Sequence, residues 1–306
     1  MPPNLDKLRA WIVLSRPPFQ TVGVLPFILG AELAWFSSGT FRWDIFAWGT
    51  LGVVLVMLAT YYSGESWDFV GDSLSRDYHD NPFAGGTKVL LQGLVSRKAA
   101  LWASLGCVVV AFGVGIILQF GYHTGVWTIP LGVLGLVGGF FYSTQPVRWV
   151  ARGVGELWIA FCFGWLPIAV GFYLQTGHLV PLVTVTAIPV GLTCFCLIVI
   201  NEFPDYPADI QVKKANLVVR LGRERAARLY TVASGASWIA VLVSVYYGAP
   251  LQGLLLYAFV FLLSLTVTVS VIRGRWHEPE TLQKLCARTV LVNLGTTAAY
   301  VLAFIR

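Results

Sequence analysis

The sequence predicts an all-α polytopic membrane protein, with nine transmembrane helices in one bundle and cap loops on the cytoplasmic face. Three observations carry that expectation. Of 306 residues, 57% are hydrophobic and only 12% are charged, against roughly 25% charged in a soluble domain. The apolar residues gather into nine runs long enough to cross a bilayer, which takes about 20 residues each. The basic residues are confined almost entirely to alternate connections between those runs. No polar stretch is long enough to fold alone, so residues 1–306 read as a single membrane-embedded domain.

Residues 1–18 place Leu5, Leu8, Trp11 and Ile12 at helical spacing, with Lys7 and Arg9 on the other side. This predicts a short interfacial helix leading into the first span, not a cleaved signal peptide. Spans are expected near 19–37, 45–64, 99–120, 124–142, 154–175, 180–201, 227–247, 251–272 and 286–305. Turns rich in breakers, such as "SSGTF" and "QTGH", separate them. With nine spans, the N-terminus and the connections 2–3, 4–5, 6–7 and 8–9 share one side. That side holds all Lys and Arg except Arg42 and Arg306. Lys and Arg are retained on the cytoplasmic side, so the N-terminus is expected there. The net charge of +6 then reflects topology and attraction to anionic lipid, with no nucleic acid implied. The five cysteines lie in or beside apolar runs and read as small buried residues, not as a disulfide or metal set.

One repeat stands out. "SGESWDFVGD" places Glu65, Asp68 and Asp72 at the end of span 2, and "NEFPDYPAD" places Glu202, Asp205 and Asp209 at the end of span 6. The spacing is identical, which suggests two related halves, about 19–150 and 151–275, with a ninth span near 286–305 added. Offsets of 0, 3 and 7 put three side chains on one helical face. Three carboxylates there repel one another, and membrane burial raises the cost, so they need cations. Oxygen donors without His or Cys suit a hard cation such as Mg²⁺, which completes its shell with water and phosphate oxygens. Two facing motifs can thus hold a diphosphate through bridging metals. Solvated helix ends would account for one such motif, but not readily for two copies in equivalent positions. Arg76, Lys88, Arg148, Arg152, Lys213, Lys214 and Arg220 flank the motifs, with Tyr142 nearby, and can hold the remaining phosphate oxygens. Arg223, Arg225 and Arg228 need only the topology rule. Pro204 and Pro207 predict a distorted helical face in the second motif. Glu156 reads as an acid at a helix start. Glu32 is an intramembrane carboxylate for which a packing role serves equally well, and "RDYHD" at 76–80 reads as a solvated cap loop.

The chain resembles the UbiA superfamily of intramembrane prenyltransferases, most closely the branch containing 1,4-dihydroxy-2-naphthoate prenyltransferases. The resemblance covers almost the whole chain. It is sharpest in "RPPFQTVGVLPFILG" at 16–30, "GESWDFVGD" to "NPFAGGTKVLLQGLVS" at 64–96, "FYSTQPVR" at 141–148 and "NEFPDYPADIQVKKANLVVRLG" at 201–222. It implies Mg²⁺-dependent transfer of a polyprenyl group from an allylic diphosphate to an electron-rich aromatic ring. Two Mg²⁺ ions would bridge the diphosphate, and Asp68, Asp72, Asp205 and Asp209 would carry the catalysis. By position, Glu65, Asp68 and Asp72 would serve one ion. Asn201, Asp205 and Asp209 would serve the other, with Glu202 close by. Lys88, Arg148 and Lys214 would contact the diphosphate, with Tyr142 and Lys213 beside them. The pattern departs from the family at Gly64, where Asn is usual, and at Ile210 and Ala215, where basic residues are usual. The acceptor stays open between 1,4-dihydroxy-2-naphthoate and the 4-hydroxybenzoate, haem, chlorophyllide or glyceryl phosphate types. An ion-coupled carrier is the competing class. Carriers place charged sites near the midplane, whereas both motifs here end their spans on one side.

Overall fold

The computed structural model describes residues 3–78, 83 and 85–305, with 3–5 and 76–78 described by backbone alone. Every regular element among them is helical, as lipid demands of a chain that must satisfy its own N–H and C=O groups. In chain order the elements are α1 (Pro3–Leu14), α2 (Pro17–Ser38), α3 (Trp43–Trp67), α4 (Phe69–Tyr78), α5 (Arg97–Gly121) and α6 (Thr128–Ser143). Then follow α7 (Gly155–Thr176), α8 (Pro181–Gln211), α9 (Leu217–Leu221), α10 (Arg223–Tyr246), α11 (Leu251–Ile272) and α12 (Pro279–Phe304).

Eight of these are long and apolar enough to cross a membrane: α2, α3, α5, α7, α8, α10, α11 and α12. The run expected near 124–142 forms only the 16-residue α6. It starts late because 122–127 is held as a turn: the Thr124 hydroxyl donates to the Leu118 carbonyl, and the Trp127 amide donates to the Tyr173 hydroxyl. The central element is α8, the most buried of the eight. Its inner residues Phe195, Val199, Ile200 and Phe203 pack with α10 and α12. Val183, Ala187 and Val190 pack with α2, α7 and α12 nearer the other end. Polar pairs tie α10, α11 and α12, among them Ser234 with Thr268 and Ser244 with Tyr300, as interhelical hydrogen bonds do in lipid. Outward faces carry exposed Trp102, Val109, Leu255 and Phe259, the surface a bilayer covers. All five cysteines are free thiols.

Helix α1 buries Ala10 and Leu14 against Tyr62, Val89, Leu90, Val95 and Ala100. Leu8 and Ile12, on the expected apolar face, are exposed.

Both acidic motifs depart from the expected local structure. The first motif is split: α3 ends at Trp67, Asp68 sits at the bend (φ −86°, ψ 2°), and Asp72 belongs to α4. Arg97 causes this. Its Nε and Nη2 donate to the Ser66 carbonyl at 3.0 and 2.8 Å, taking the acceptor a continuing helix would offer to residue 70. The second motif, where two prolines predicted distortion, stays inside the continuous helix α8. Pro204 lacks the N–H that would bond Ile200, and the Cys286 thiol donates to that carbonyl instead at 3.6 Å.

Candidate active site

The ends of α2, α3, α6, α7 and α8 meet at one end of the bundle, and the two motifs face each other there. In the first motif, Glu65 is 5% exposed. Its Oε1 accepts from Arg16 at 2.5 Å and from the Thr87 amide at 2.8 Å, and its Oε2 accepts from the Thr87 hydroxyl at 3.0 Å. Asp68 accepts from the Ser143 hydroxyl at 2.5 Å and faces Arg148 at 3.5 Å. In the second motif, Asp205 accepts from the Ser75 hydroxyl and from the Gly85 amide, the latter at 3.2 Å. Asp209 accepts from the Asn216 amide at 2.7 Å and pairs with Lys214 at 3.5 Å.

The segment Gly85–Thr87 therefore joins the motifs, its amides reaching Asp205 on one side and Glu65 on the other. Gly86 lies between them with φ +64°, and a Cβ there would come within 2.4 Å of Asp72 Oδ2 and 3.1 Å of Glu65 Oε1. Only glycine allows both that conformation and that approach.

Electrostatics bind the two halves into one site. Burial disfavours the charged form of Lys214. Asp209, Asp68 and Asp205 outweigh it and hold the ammonium well above the ordinary lysine value. Lys214 is thus shared by carboxylates of both motifs. Arg16 is likewise raised, its burial outweighed by Glu65 and Asp72. Asp72 is pushed well above the usual carboxylate range, first by burial and then by Asp68 and Glu65. Tyr142 lies within electrostatic reach of Glu202, Lys214 and Asp68. Lys88 is half-buried, whereas Lys213 is exposed and makes no ion pair among the described residues. Arg152 and Arg220 donate to backbone carbonyls of their own loops instead of to the motifs. The side chains of the 76–80 sequence, Arg76 included, lie outside the described residues. Four basic residues at this end, Arg16, Lys88, Arg148 and Lys213, have left-handed backbone, with φ of 46°, 62°, 49° and 54°.

The donor set suits a hard cation. It is oxygen-only, and two buried oxygens, Asn201 Oδ1 and Glu202 Oε2, have no hydrogen-bond partner. Among the described residues no three Asp, Glu, His or Cys side chains converge closely enough to form a ligand group alone; Arg16, Thr87, Ser143, Ser75, Lys214 and Asn216 each contact a motif carboxylate. A metal here would complete its shell with water and substrate oxygens.

An apolar cleft starts one helical turn from the site, at Thr60 and Gly139, and is lined by Gly49, Gly52, Val56 and Gly135. From Thr60 to Gly49 it runs about 16 Å along α3, at 1.5 Å per residue.

Sequence reasoning assigned no role to Arg16, Ser75, Thr87, Ser143 or Asn216. All five lie inside the four stretches where the family resemblance is sharpest. That position was the available signal, since a single Ser, Thr or Asn carries none of its own.

Known proteins are similar to this chain in sequence and in fold. The chain is 25% identical to 2-carboxy-1,4-naphthoquinone phytyltransferase of Synechocystis, covering 94% of this chain and 89% of that protein. It is also 25% identical to 1,4-dihydroxy-2-naphthoate octaprenyltransferase of Escherichia coli, covering 98% and 96%. A UbiA homolog from Aeropyrum pernix shares the fold with a TM-score of 0.72 at 17% identity, over 93% of this chain and 98% of that one. A UbiA homolog from Archaeoglobus fulgidus, bound to GPP and Mg²⁺, gives 0.68 at 15% identity, over 95% and 99%. The model of the UbiA prenyltransferase family matches residues 24–293, and on that match the chain belongs to the UbiA prenyltransferase family.

Proposed function

We propose that this protein transfers a polyprenyl group from an allylic polyprenyl diphosphate to 1,4-dihydroxy-2-naphthoate or a closely related aromatic acceptor, with two Mg²⁺ ions bridging the diphosphate. The observation that carries this reading is the facing pair of acidic motifs, joined by Gly85–Thr87 and sharing Lys214, at the mouth of an apolar cleft. The naphthoate acceptor is favoured by the names of the relatives in Synechocystis and Escherichia coli.

In this reading Lys214 and Arg148, which pair with Asp209 and Asp68, hold diphosphate oxygens, with Tyr142 beside them and Lys88 and Lys213 on the adjoining loops. Asp68, Asp72, Asp205 and Asp209, with Asn201 and Glu202, form the oxygen set for the metal. Arg16 compensates Glu65, which anchors the Gly85–Thr87 segment. When bound, Mg²⁺ supplies positive charge that stabilises the departing diphosphate. The allylic C–O bond breaks with its electron pair leaving on the diphosphate. A ring carbon of the acceptor then bonds to the allylic carbon, and the ring regains aromaticity by giving up the group it carries there. That group is a proton, which passes to water or a motif carboxylate, or in the naphthoate case the carboxylate, which leaves as CO₂ and returns its bonding pair to the ring. The cleft lined by Val56, Gly135 and Gly139 takes the isoprenoid tail and keeps water from the cation.

We read the topology in the same terms. Helix α6 makes a ninth crossing, the basic end and the N-terminus face the cytoplasm, and α1 lies in the interface on exposed Leu8 and Ile12. The chain is one domain, with related halves at 19–150 and 151–275.

The test uses protein in lipid nanodiscs with geranylgeranyl and longer diphosphates, Mg²⁺ and a panel of aromatic acceptors, with mass spectrometry of the lipid-soluble product. Prenylated naphthoate formed only with Mg²⁺ is expected. Solute movement across liposomes with no diphosphate release from any acceptor mixture would sink the reading.

A further inference from the structure

Glu156 lies in the first turn of α7, where an acid needs no special role. Its surroundings give it one. The side chain is 1% exposed, and its Oε1 accepts from the Leu217 amide at 2.5 Å. Leu217 opens α9, whose first-turn N–H groups have no partner inside the helix. Two of them are met from outside: Leu217 by Glu156, and Val219 by Asn216 Oδ1 at 2.8 Å. The same Asn216 side chain, fully buried, donates its Nδ2 to Asp209 Oδ2 at 2.7 Å. A continuous chain of contacts thus runs from α7 through the start of α9 to the second acidic motif. The loop before α7 packs tightly on the same element: at Gly153, φ +71°, a Cβ would come within 2.4 Å of Arg220 Cδ.

We propose that Glu156 is a positioning residue for the second acidic motif. Its oxygen fixes the start of α9, and thereby the Asn216 amide that orients Asp209. Glu156 also faces Glu202 of the same motif, and we assign it no contact with the diphosphate or the acceptor. The inference rests on the function proposed above only in that Asp209 is taken to serve the diphosphate site.

Two substitutions separate the oxygen from the charge. Glu156→Gln keeps an acceptor for the Leu217 amide, and Glu156→Leu removes it. A third, Leu217→Pro, removes the donor at the first helical position, where proline is tolerated. Amide exchange in nanodiscs without substrate is expected to quicken at least about tenfold across 216–221 in Glu156→Leu, with 87–95 unchanged. The KM for prenyl diphosphate should rise about tenfold while kcat falls less. Glu156→Gln should restore both to within about threefold of the unmodified protein. Leu217→Pro should raise KM likewise, and adding Glu156→Leu to it should bring no further rise. Either of two results overturns the proposal. One is unchanged exchange and KM in both Glu156→Leu and Leu217→Pro. The other is loss of kcat in Glu156→Gln with exchange and KM intact, which would make the carboxylate a participant in the chemistry. If the unmodified protein turns over no acceptor, the function reading fails, and the exchange measurement still decides the role of Glu156. If Glu156→Leu does not fold, Leu217→Pro and Glu156→Gln carry the same test.

Discussion

The two acidic motifs have identical spacing and opposite local structure. The first contains no proline, yet it breaks at Asp68; the second contains Pro204 and Pro207, yet it runs unbroken to Gln211. The difference lies in which carbonyls find a partner from elsewhere. Arg97 takes the Ser66 carbonyl, so the chain is released to turn. Cys286 covers the Ile200 carbonyl that Pro204 leaves open, and α8 runs on through it. The turn at Asp68 has a use: it sends α4 toward α8, and Ser75 on α4 reaches Asp205. A helix continuing straight from Trp67 would carry Asp72 and Ser75 onward along its own axis. The bent motif supplies the bridge, and the straight one is held by the chain that follows it, through Lys214 and Asn216.

Four measurements would sharpen or break this contrast. The largest effect is expected from Asp68→Asn and Asp205→Asn. Each should lower the transfer rate about 10²–10³-fold, the scale seen when a charge-stabilising group is lost. A loss confined to one of them would mean that the motifs do not share the diphosphate. Next is Arg16→Ala, which leaves Glu65 buried without its cation. It should lower stability in nanodiscs by about 3 kcal/mol, with Glu65→Gln in the same chain recovering most of the loss. Arg97→Ala should cost about 1–2 kcal/mol and slow amide exchange at Val70 as α3 extends through the former break. Exchange at Val70 that is unchanged would show that Arg97 does not cause the bend. The smallest change is expected for Cys286→Ala, below about 1 kcal/mol, since a thiol is a weak donor. A larger loss would make that thiol the main support of α8 at Pro204.

Much of this was legible in the sequence because lipid permits so few solutions. Apolar length locates the helices, as at Leu251–Ile272, where expectation and structure coincide. Charge repetition points to the candidate site, since three carboxylates at offsets of 0, 3 and 7 have few inexpensive explanations. The residues that complete the site were not legible for a physical reason. Thr87, Ser143 and Asn216 act through one hydroxyl or amide each, and their partners are 22, 75 and 7 residues away in sequence. Nothing local distinguishes such a side chain from one that faces solvent. The misjudged break has the same origin. Proline is visible in a sequence, whereas the capture of the Ser66 carbonyl by Arg97, 31 residues on, is a tertiary event. The shortness of α6 depends likewise on the Tyr173 hydroxyl reaching the turn at Trp127.

The left-handed backbone at Arg16, Lys88, Arg148 and Lys213 has a consequence for stability. An L side chain in that conformation costs roughly 1–2 kcal/mol relative to glycine. A chain shaped for robustness alone would drift toward Gly or Asn at these four positions. Arg or Lys at all four sets positive charge against backbone strain at this end of the bundle. Lys213→Gly, at the most exposed of the four, should therefore raise the melting temperature, and if the proposed role holds it should also raise the KM for prenyl diphosphate. This end of the bundle is where durability and activity pull in opposite directions.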